Sequence, residues 1–140
     1  MTNQSRFVLF PLGDKRFALP SELVAELARP DSPQSFPHTT PLVIGVLVRR
    51  GQIVPVCDIA QVLVGKNAPA RKFYLIANRK FGDQAELTAL PVTGECELAA
   101  AEMMQPTGRL PEYVVGLLSF PGELVEVLEL EKVLGREARA

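Results

Sequence analysis

The chain has 140 residues, of which 47% are hydrophobic and 22% are charged, and its formal net charge is −1. A chain of this length suits one compact domain, or two small halves that share a core, and can bury roughly 70% of its unfolded surface. The charges are mixed along the sequence and no apolar run approaches the roughly 18 residues of a membrane helix, so we expect a cytoplasmic protein with no nucleic-acid partner and no direct membrane insertion.

The first segments of the chain predict a hairpin. The run RFVLFPLG (6–13) is strand-like, the chain reverses at Gly13-Asp14, and a second strand returns toward Ala18-Leu19-Pro20. The next segment, SELVAELA (21–28), fits a short helix capped by Ser21 and also fits an alternating strand. Periodicity leaves both interpretations open.

A second hairpin and a short helix complete the first half. After a proline-rich connection at 29–41, the sequence VIGVLVRRGQIVPVCDI (43–59) predicts two strands that turn at Gly51. Asp58 is the candidate N-cap of the helix that follows, and Gly65 is the candidate C-terminal stop. The polar run GKNAPARK (65–72) marks the boundary with the second half.

The second half repeats the first at a shift of 71 residues. Residues 43–63 and 114–134 are identical at eight of 21 positions, and Ala18-Leu19-Pro20 falls on Ala89-Leu90-Pro91. The repeat predicts another opening hairpin, another hairpin that turns at Gly122, and a second helix that ends at Gly135. Short strands at close spacing with few helices indicate small barrels or a sandwich.

The two repeated hairpins differ at their turns. Arg49-Arg50-Gly51 in the first half stands where the second half has Phe120-Pro121-Gly122. A turn requires glycine for its positive φ, and proline before glycine suits a type II turn, but no turn requires two arginines. The arginines are either solvated charges or part of an interaction surface. Gly45 and Gly116 recur before each hairpin and predict a bulge or a close backbone approach.

The pattern of an apolar run with glycine, a second apolar run, Arg-Gly and IVPV-D (43–59) resembles the CheW coupling proteins of bacterial chemotaxis, and FVLFPLGDKRFALP (7–20) and the segment 113–135 are similar to that family's opening and closing parts. The resemblance implies a mainly β fold with two SH3-like five-stranded β-barrel subdomains around a shared core and short helices. The chain is then one domain (1–140) with subdomains near 1–65 and 73–135, and strand exchange between them stays open.

The resemblance also implies a function. Members of this family have no catalytic activity and no cofactor, and they bridge the cytoplasmic tip of a chemoreceptor to the regulatory domain of a CheA-type histidine kinase in membrane-associated receptor arrays. By this resemblance Arg50 and Gly51 contact the receptor, and Glu26 pairs with Arg50 beside an apolar groove around Val24. Gly45 is implied near the kinase contact.

Other interpretations remain on the residues alone. The chain departs from the family pattern where Val48-Arg49 replaces the common Asn-Leu, which is compatible with a related protein serving twitching motility or another chemosensory pathway. A double barrel that binds a small ligand is a further alternative, although small barrels are usually filled by their own side chains. His38 in a loop and Cys57 in apolar surroundings lack the partners that catalysis needs. Together with Cys96 they also lack metal-ligand spacing.

Overall fold

The structure is a computed structural model, and it describes residues 4–28, 42–65, 73–81, 84–106 and 108–135. Ten strands and two short α-helices follow one another in these segments. The strands of the first half are β1 (Ser5–Leu12), β2 (Lys15–Pro20), β3 (Val24–Ala28), β4 (Val43–Arg49) and β5 (Gln52–Cys57), followed by helix α1 (Ala60–Leu63). Those of the second half are β6 (Phe73–Phe81), β7 (Gln84–Val92), β8 (Glu97–Ala101), β9 (Val114–Phe120) and β10 (Glu123–Leu128), followed by helix α2 (Leu130–Gly135).

The strands form two five-stranded sheets, and each sheet contains strands from both halves. The first sheet has the order β8-β1-β2-β10-β9, and the second has the order β3-β6-β7-β5-β4. Four strand pairings join the two halves: β1 with β8 and β3 with β6 are antiparallel, whereas β2 with β10 and β5 with β7 are parallel. The two parallel pairings are equivalent under the repeat: Ala18 lies beside Val127, and Ala89 lies beside Val56. The sheets therefore do not follow the boundary between the sequence halves.

The first sheet closes on itself as a small barrel. Met104, just beyond β8, forms a bridge to Leu117 in β9, with N···O distances of 2.8 and 2.9 Å in the two directions. This bridge joins the two outer strands of the sheet. We refer to the first and second sheets, with the side chains that fill them, as the first and second barrels.

Strand alternation divides the apolar side chains between the barrel interiors and a shared core. Phe7 and Leu9 of β1 fill the first barrel, whereas Val8 and Phe10 of the same strand face the core between the barrels. Both sheets and both helices contribute to this shared core. The second barrel is filled by a cluster of its own: Ala28, Leu47, Val54, Val56, Tyr74, Ile76 and Ala89. These observations confirm the predicted fold class.

Of the two interpretations left open for 21–28, the strand is confirmed from Val24 onward, and the helix capped by Ser21 is wrong. Residues Ser21–Leu23 form one turn of 3-10 helix with Pro20 as its N-cap, and strand β3 follows. The capping role predicted for Asp58 is also wrong. The N-cap of α1 is Ile59 and no side-chain hydrogen bond caps this helix. Asp58 is instead fully buried, and its backbone N–H donates to the Leu42 carbonyl at 2.7 Å.

The predicted turn and stop glycines adopt the expected conformations. Gly13, Gly51, Gly65 and Gly122 all have positive φ, between 68° and 77°. Helix α2 is described as far as Gly135, and the residues that would show its predicted stop lie outside the described residues. The predicted connection at 29–41, with His38, and most of the predicted boundary lie outside the described residues. Within the described residues, no helix is long and apolar enough to cross a membrane.

Candidate interaction site

The turn between β4 and β5 consists of Arg50 and Gly51. Arg49 and Gln52 pair across the strands and leave a two-residue loop between them. Both loop residues have positive φ, 52° at Arg50 and 76° at Gly51, as a type I′ turn requires. Arg50 is the only non-glycine residue with positive φ in the described segments. This conformation is unfavourable for an arginine, because its Cβ crowds the backbone.

The two arginines of the turn have different environments. The guanidinium Nη2 of Arg49 donates to Oε2 of Glu26 at 2.7 Å, and both side chains are about one-third exposed, 35% and 31%. Arg50 is exposed and forms no ion pair with any of the described residues. The predicted pair between Glu26 and Arg50 was therefore wrong by one position. Alternation explains the difference, because Arg49 follows the buried Leu47 by two residues and faces the same side of its strand.

Glu26 in the second barrel has an equivalent in the first barrel, Glu97. Glu26 pairs with Ile76, which pairs on its other side with Ala89 of the second Ala-Leu-Pro motif. Glu97 pairs with Leu9, which pairs on its other side with Ala18 of the first Ala-Leu-Pro motif. The two carboxylates thus lie at the same end of their barrels. We call this end the mouth of each barrel.

An arginine also binds the glutamate at the mouth of the first barrel. Arg16 of β2 donates from Nη1 to Glu97 at 3.0 Å, and from Nη2 and Nε to Glu123 at 2.6 and 3.1 Å. The guanidinium lowers the pKa of the Glu123 carboxyl, and the two carboxylates raise the pKa of Arg16. Each mouth therefore contains an Arg–Glu pair, although the arginine comes from β2 in one barrel and from β4 in the other. The Arg49–Glu26 pair of the second barrel is therefore the counterpart of the Arg16–Glu97 pair of the first barrel.

Two apolar side chains are exposed on the outer face of the β4–β5 hairpin. Val48 and Ile53 pair across the strands next to the turn and are 54% and 69% exposed. The equivalent pair of the other hairpin is Ser119 and Leu124, of which only Leu124 is apolar. An exposed cross-strand apolar pair beside an exposed arginine is typical of a protein contact. We call Val48, Arg50 and Ile53 the hairpin surface.

An apolar groove of about 350 Å³ lies between the barrels, at the start of β3. Val24, the predicted groove residue, is half-buried against the shared core directly after Leu23, which lines the groove. Glu26 follows three residues beyond Leu23, roughly 10 Å along the strand. The short segment 23–26 therefore contributes both to the groove and to the Glu26–Arg49 ion pair. The groove is lined by Pro20, Leu23, Asn78, Val115, Leu128, Glu129, Leu130 and Glu131.

An ion pair between the barrels borders this groove. Arg79 of β6, in the second sheet, donates to Glu131 of α2, with the shortest N···O distance at 2.9 Å. Helix α2 directly follows β10 of the first sheet. The pair therefore connects the wall formed by the second sheet to the helix that forms the opposite wall.

The repeated glycines lie beside bulges, as their spacing predicts. The register of β4 shifts between Val43 and Gly45, and that of β9 shifts between Val114 and Gly116. A Cβ at Gly116 would lie only 2.3 Å from Cγ of Met103. Gly45, implied near the kinase contact, is buried within β4. Packing and the bulge therefore determine the backbone position of Gly45 in β4.

Neither cysteine has the character of a nucleophile. Burial raises the pKa of the Cys57 thiol to about 11, although the charge of Arg79 opposes this shift, and burial raises the pKa of Cys96 to about 11 as well. Both thiols are protonated near neutral pH. The described residues contain no group of three His, Cys, Asp or Glu side chains that could hold a metal ion.

The ion pair of Arg49 and the exposed positions of Val48 and Ile53 were not predicted from the sequence. Strand alternation carried the relevant signal. Once Leu47 is assigned to the interior, Arg49 must face inward and Val48 outward. Ile53 then faces outward as the cross-strand partner of Val48.

Comparison with known proteins adds family information. The family model described as the CheW-like domain matches residues 6–138. Protein FrzA of Myxococcus xanthus is 26% identical over 139 residues, which cover 94% of this chain and 86% of FrzA. The crystal structure of the scaffolding protein TtCheW from Thermoanaerobacter tengcongensis is similar with a TM-score of 0.78 at 19% identity, over 95% of this chain and 89% of that chain.

Proposed function

Because the chain belongs to the CheW-like domain family, we propose that it is a non-enzymatic adaptor that couples chemoreceptors to a CheA-type histidine kinase. The protein acts in the cytoplasm, where it is recruited to membrane-associated receptor arrays. It holds the receptor tip and the regulatory domain of the kinase in a fixed relative position. Ligand signals then pass to the kinase as small shifts between these partners. Modest affinities are sufficient, since many copies bind together in an array.

The observation that carries this proposal is the ion pair between Glu26 and Arg49 beside the apolar groove. It fixes the end of the β4–β5 hairpin against β3, the strand that begins at the groove. A receptor helix in the groove contacts the segment around Val24, and the adjoining tip contributes Glu26, Arg50 and Gly51. Helix binding in an apolar groove is a common mode of peptide recognition.

The kinase contact is proposed on strand β4, around Gly45 and away from the turn. Gly45 is buried, so its contribution is to shape β4 beside the bulge rather than to offer a side chain. An adaptor requires two separate surfaces, because both partners bind at once. We therefore propose the groove for the receptor and the strand around Gly45 for the kinase.

A second candidate is the adaptor of another chemosensory pathway, such as one serving twitching motility. The similarity to protein FrzA and the replacement of the common Asn-Leu by Val48-Arg49 favour this alternative. A barrel that binds a small ligand is less well supported, because buried apolar side chains fill both barrels.

The test is calorimetric titration against the regulatory domain of each CheA-type kinase of the same genome and against receptor-tip fragments. We expect micromolar binding to one kinase and to a receptor fragment, with the receptor affinity reduced in Arg50→Ala. Arg109→Ala removes an exposed arginine far along the chain from the turn and serves as the matched control. Absence of binding to every kinase and receptor fragment would refute the coupling function and leave the fold unaffected.

A further inference from the structure

Two junctions between the barrels are equivalent under the internal repeat. At one, Arg79 of β6 in the second barrel binds Glu131 of α2, the helix that follows the first barrel. At the other, β1 of the first barrel and α1, the helix that follows β5 of the second, meet in the shared core. The strand register and the shift of 71 residues place Leu12 and Ala60 at these positions of the second junction. We call the first the ionic junction and the second the apolar junction.

The apolar junction is closed by packing and by hydrogen bonds. Leu12 and Ala60 are buried in the shared core. Thr93, directly after β7 of the second barrel, bonds to the chain on both sides of Leu12: its N–H donates to the Pro11 carbonyl at 3.1 Å, and its hydroxyl accepts from the Gly13 N–H at 2.9 Å. The two barrels are therefore fastened to each other at this junction.

The ionic junction is open by comparison, because the apolar groove of about 350 Å³ lies there. Leu23 and Asn78 line this groove. Their equivalents at the apolar junction are Gly94 and Pro11, which pack so closely that a Cβ on Gly94 would lie 3.2 Å from Cγ of Pro11. Side chains on the wall of a groove lack the partner atoms that a closed interior supplies. Packing therefore opposes separation less at the ionic junction.

The chemistry of the two junctions points in the same direction. Separation of the apolar junction exposes Leu12 to water, which is unfavourable. Separation of the ionic junction exposes the charges of Arg79 and Glu131, and water solvates both, so that a half-exposed ion pair is lost at small cost. The 2.9 Å contact between Arg79 and Glu131 is thus a weak fastening across an incompletely packed boundary.

We infer that the two barrels part at the ionic junction, which the Arg79–Glu131 ion pair holds closed, and turn about the apolar junction as a hinge. The movement widens the groove and changes the angle between the barrels. It is a small movement, because the chain crosses from one barrel to the other beside the groove, through the single 3-10 turn Ser21–Leu23. The inference concerns the protein alone and does not depend on the proposed adaptor function.

Distances between spin labels, measured by double electron–electron resonance, test this movement. Glu86→Cys in the second barrel and Lys132→Cys in α2 report on the ionic junction. The equivalent residues, Lys15→Cys in the first barrel and Gln61→Cys in α1, report on the apolar junction and form the matched pair. The two native cysteines are replaced in both labelled chains, and thermal unfolding establishes that every variant is folded.

Glu131→Gln should increase the separated population at the ionic junction. We expect a longer component in the distance between labels at 86 and 132, with its fraction raised about twofold to fivefold, because an ion pair of this exposure is lost. The distance between labels at 15 and 61 should stay unchanged. The control is Glu129→Gln, since Glu129 also lines the groove but binds Lys132 within the same helix. It should leave both distances unchanged.

High salt provides a second measurement that needs no change at Glu131. It screens the ion pair, so the labelled chain should show the same longer component across the ionic junction, and Glu131→Gln should remove most of this response. Unchanged distances at 86 and 132 in Glu131→Gln and in high salt would overturn the inference. Equal lengthening across both junctions would also overturn it, because the apolar junction would then not be a hinge. No partner protein is present, so neither result bears on the adaptor function.

Discussion

Replacement of Arg50 by asparagine should make the protein more stable. A residue with a Cβ in the left-handed region costs roughly 1–2 kcal/mol relative to its ordinary conformations, and Arg50 has a φ of 52°. Asparagine tolerates this region, and Asn-Gly is a preferred sequence for a type I′ turn. Since asparagine keeps part of the cost, we expect a gain of about 0.5–1 kcal/mol in the free energy of unfolding.

The matched control is Arg49→Asn, which removes the same charge one residue earlier. Arg49 lies in strand β4, where asparagine is unfavourable, and the change also breaks the ion pair with Glu26. An ion pair with this exposure contributes roughly 0.2–1 kcal/mol. Arg49→Asn should therefore reduce stability, in the direction opposite to Arg50→Asn.

Urea denaturation at pH 7 distinguishes the two variants. With a slope of about 2 kcal/mol per molar urea, the expected gain in Arg50→Asn raises the midpoint by about 0.3–0.5 M. The same variant should bind the receptor fragment more weakly. A lower midpoint in Arg50→Asn, or equal losses in both variants, would refute the reasoning that the turn conformation is costly for arginine.

Three further changes test other features of the structure. Gly116→Ala places a Cβ 2.3 Å from Cγ of Met103 and 3.1 Å from the Met104 carbonyl oxygen, so thermal unfolding should show that the free energy of unfolding falls by about 1–3 kcal/mol. Adding Met103→Ala to this variant should recover part of the lost stability, and no recovery would exclude this contact as the cause. Glu123→Gln should reduce stability at pH values above the ordinary carboxyl pKa of 4.5, because Arg16 lowers the pKa of Glu123 in the folded protein. The difference in stability from the unaltered protein should disappear as the pH falls through that lowered pKa. A difference that persists in acid would contradict the ion pair. Burial raises the pKa of the Cys57 thiol to about 11, so this thiol is about 0.1% thiolate at pH 8. DTNB should label Cys57 slowly in the folded protein and faster in urea, and equally fast labelling of Cys57 in both states would contradict its burial.

The repeat in the sequence predicted most of the elements but not how they combine. Identities such as Gly51 with Gly122 located both hairpins. Such identities do not indicate which strand lies beside another. The parallel contact of Val56 with Ala89 joins the two halves, and nothing in the pattern of either strand distinguishes this partner from one in its own half.

The family resemblance predicted the candidate site, and the structure corrected the arginine that pairs with Glu26. The resemblance indicated a Glu–Arg pair at the turn and selected Arg50, because it aligns sequence positions. The pair forms with Arg49 instead, because a strand orients alternate side chains to opposite faces and a turn residue belongs to neither. The φ of Arg50 also could not be read from propensity, since arginine is rare in such turns.

The exchange of strands between halves has a consequence for biosynthesis. Strands β1 and β2 are synthesised before the strands β8, β9 and β10 that complete their sheet. Ala18 must find Val127 in the other half of the repeat, and such distant contacts slow folding because a long loop must close first. The first half thus emerges with apolar strands that have no lasting partners, because the first barrel needs β8, β9 and β10 and the second needs β6 and β7.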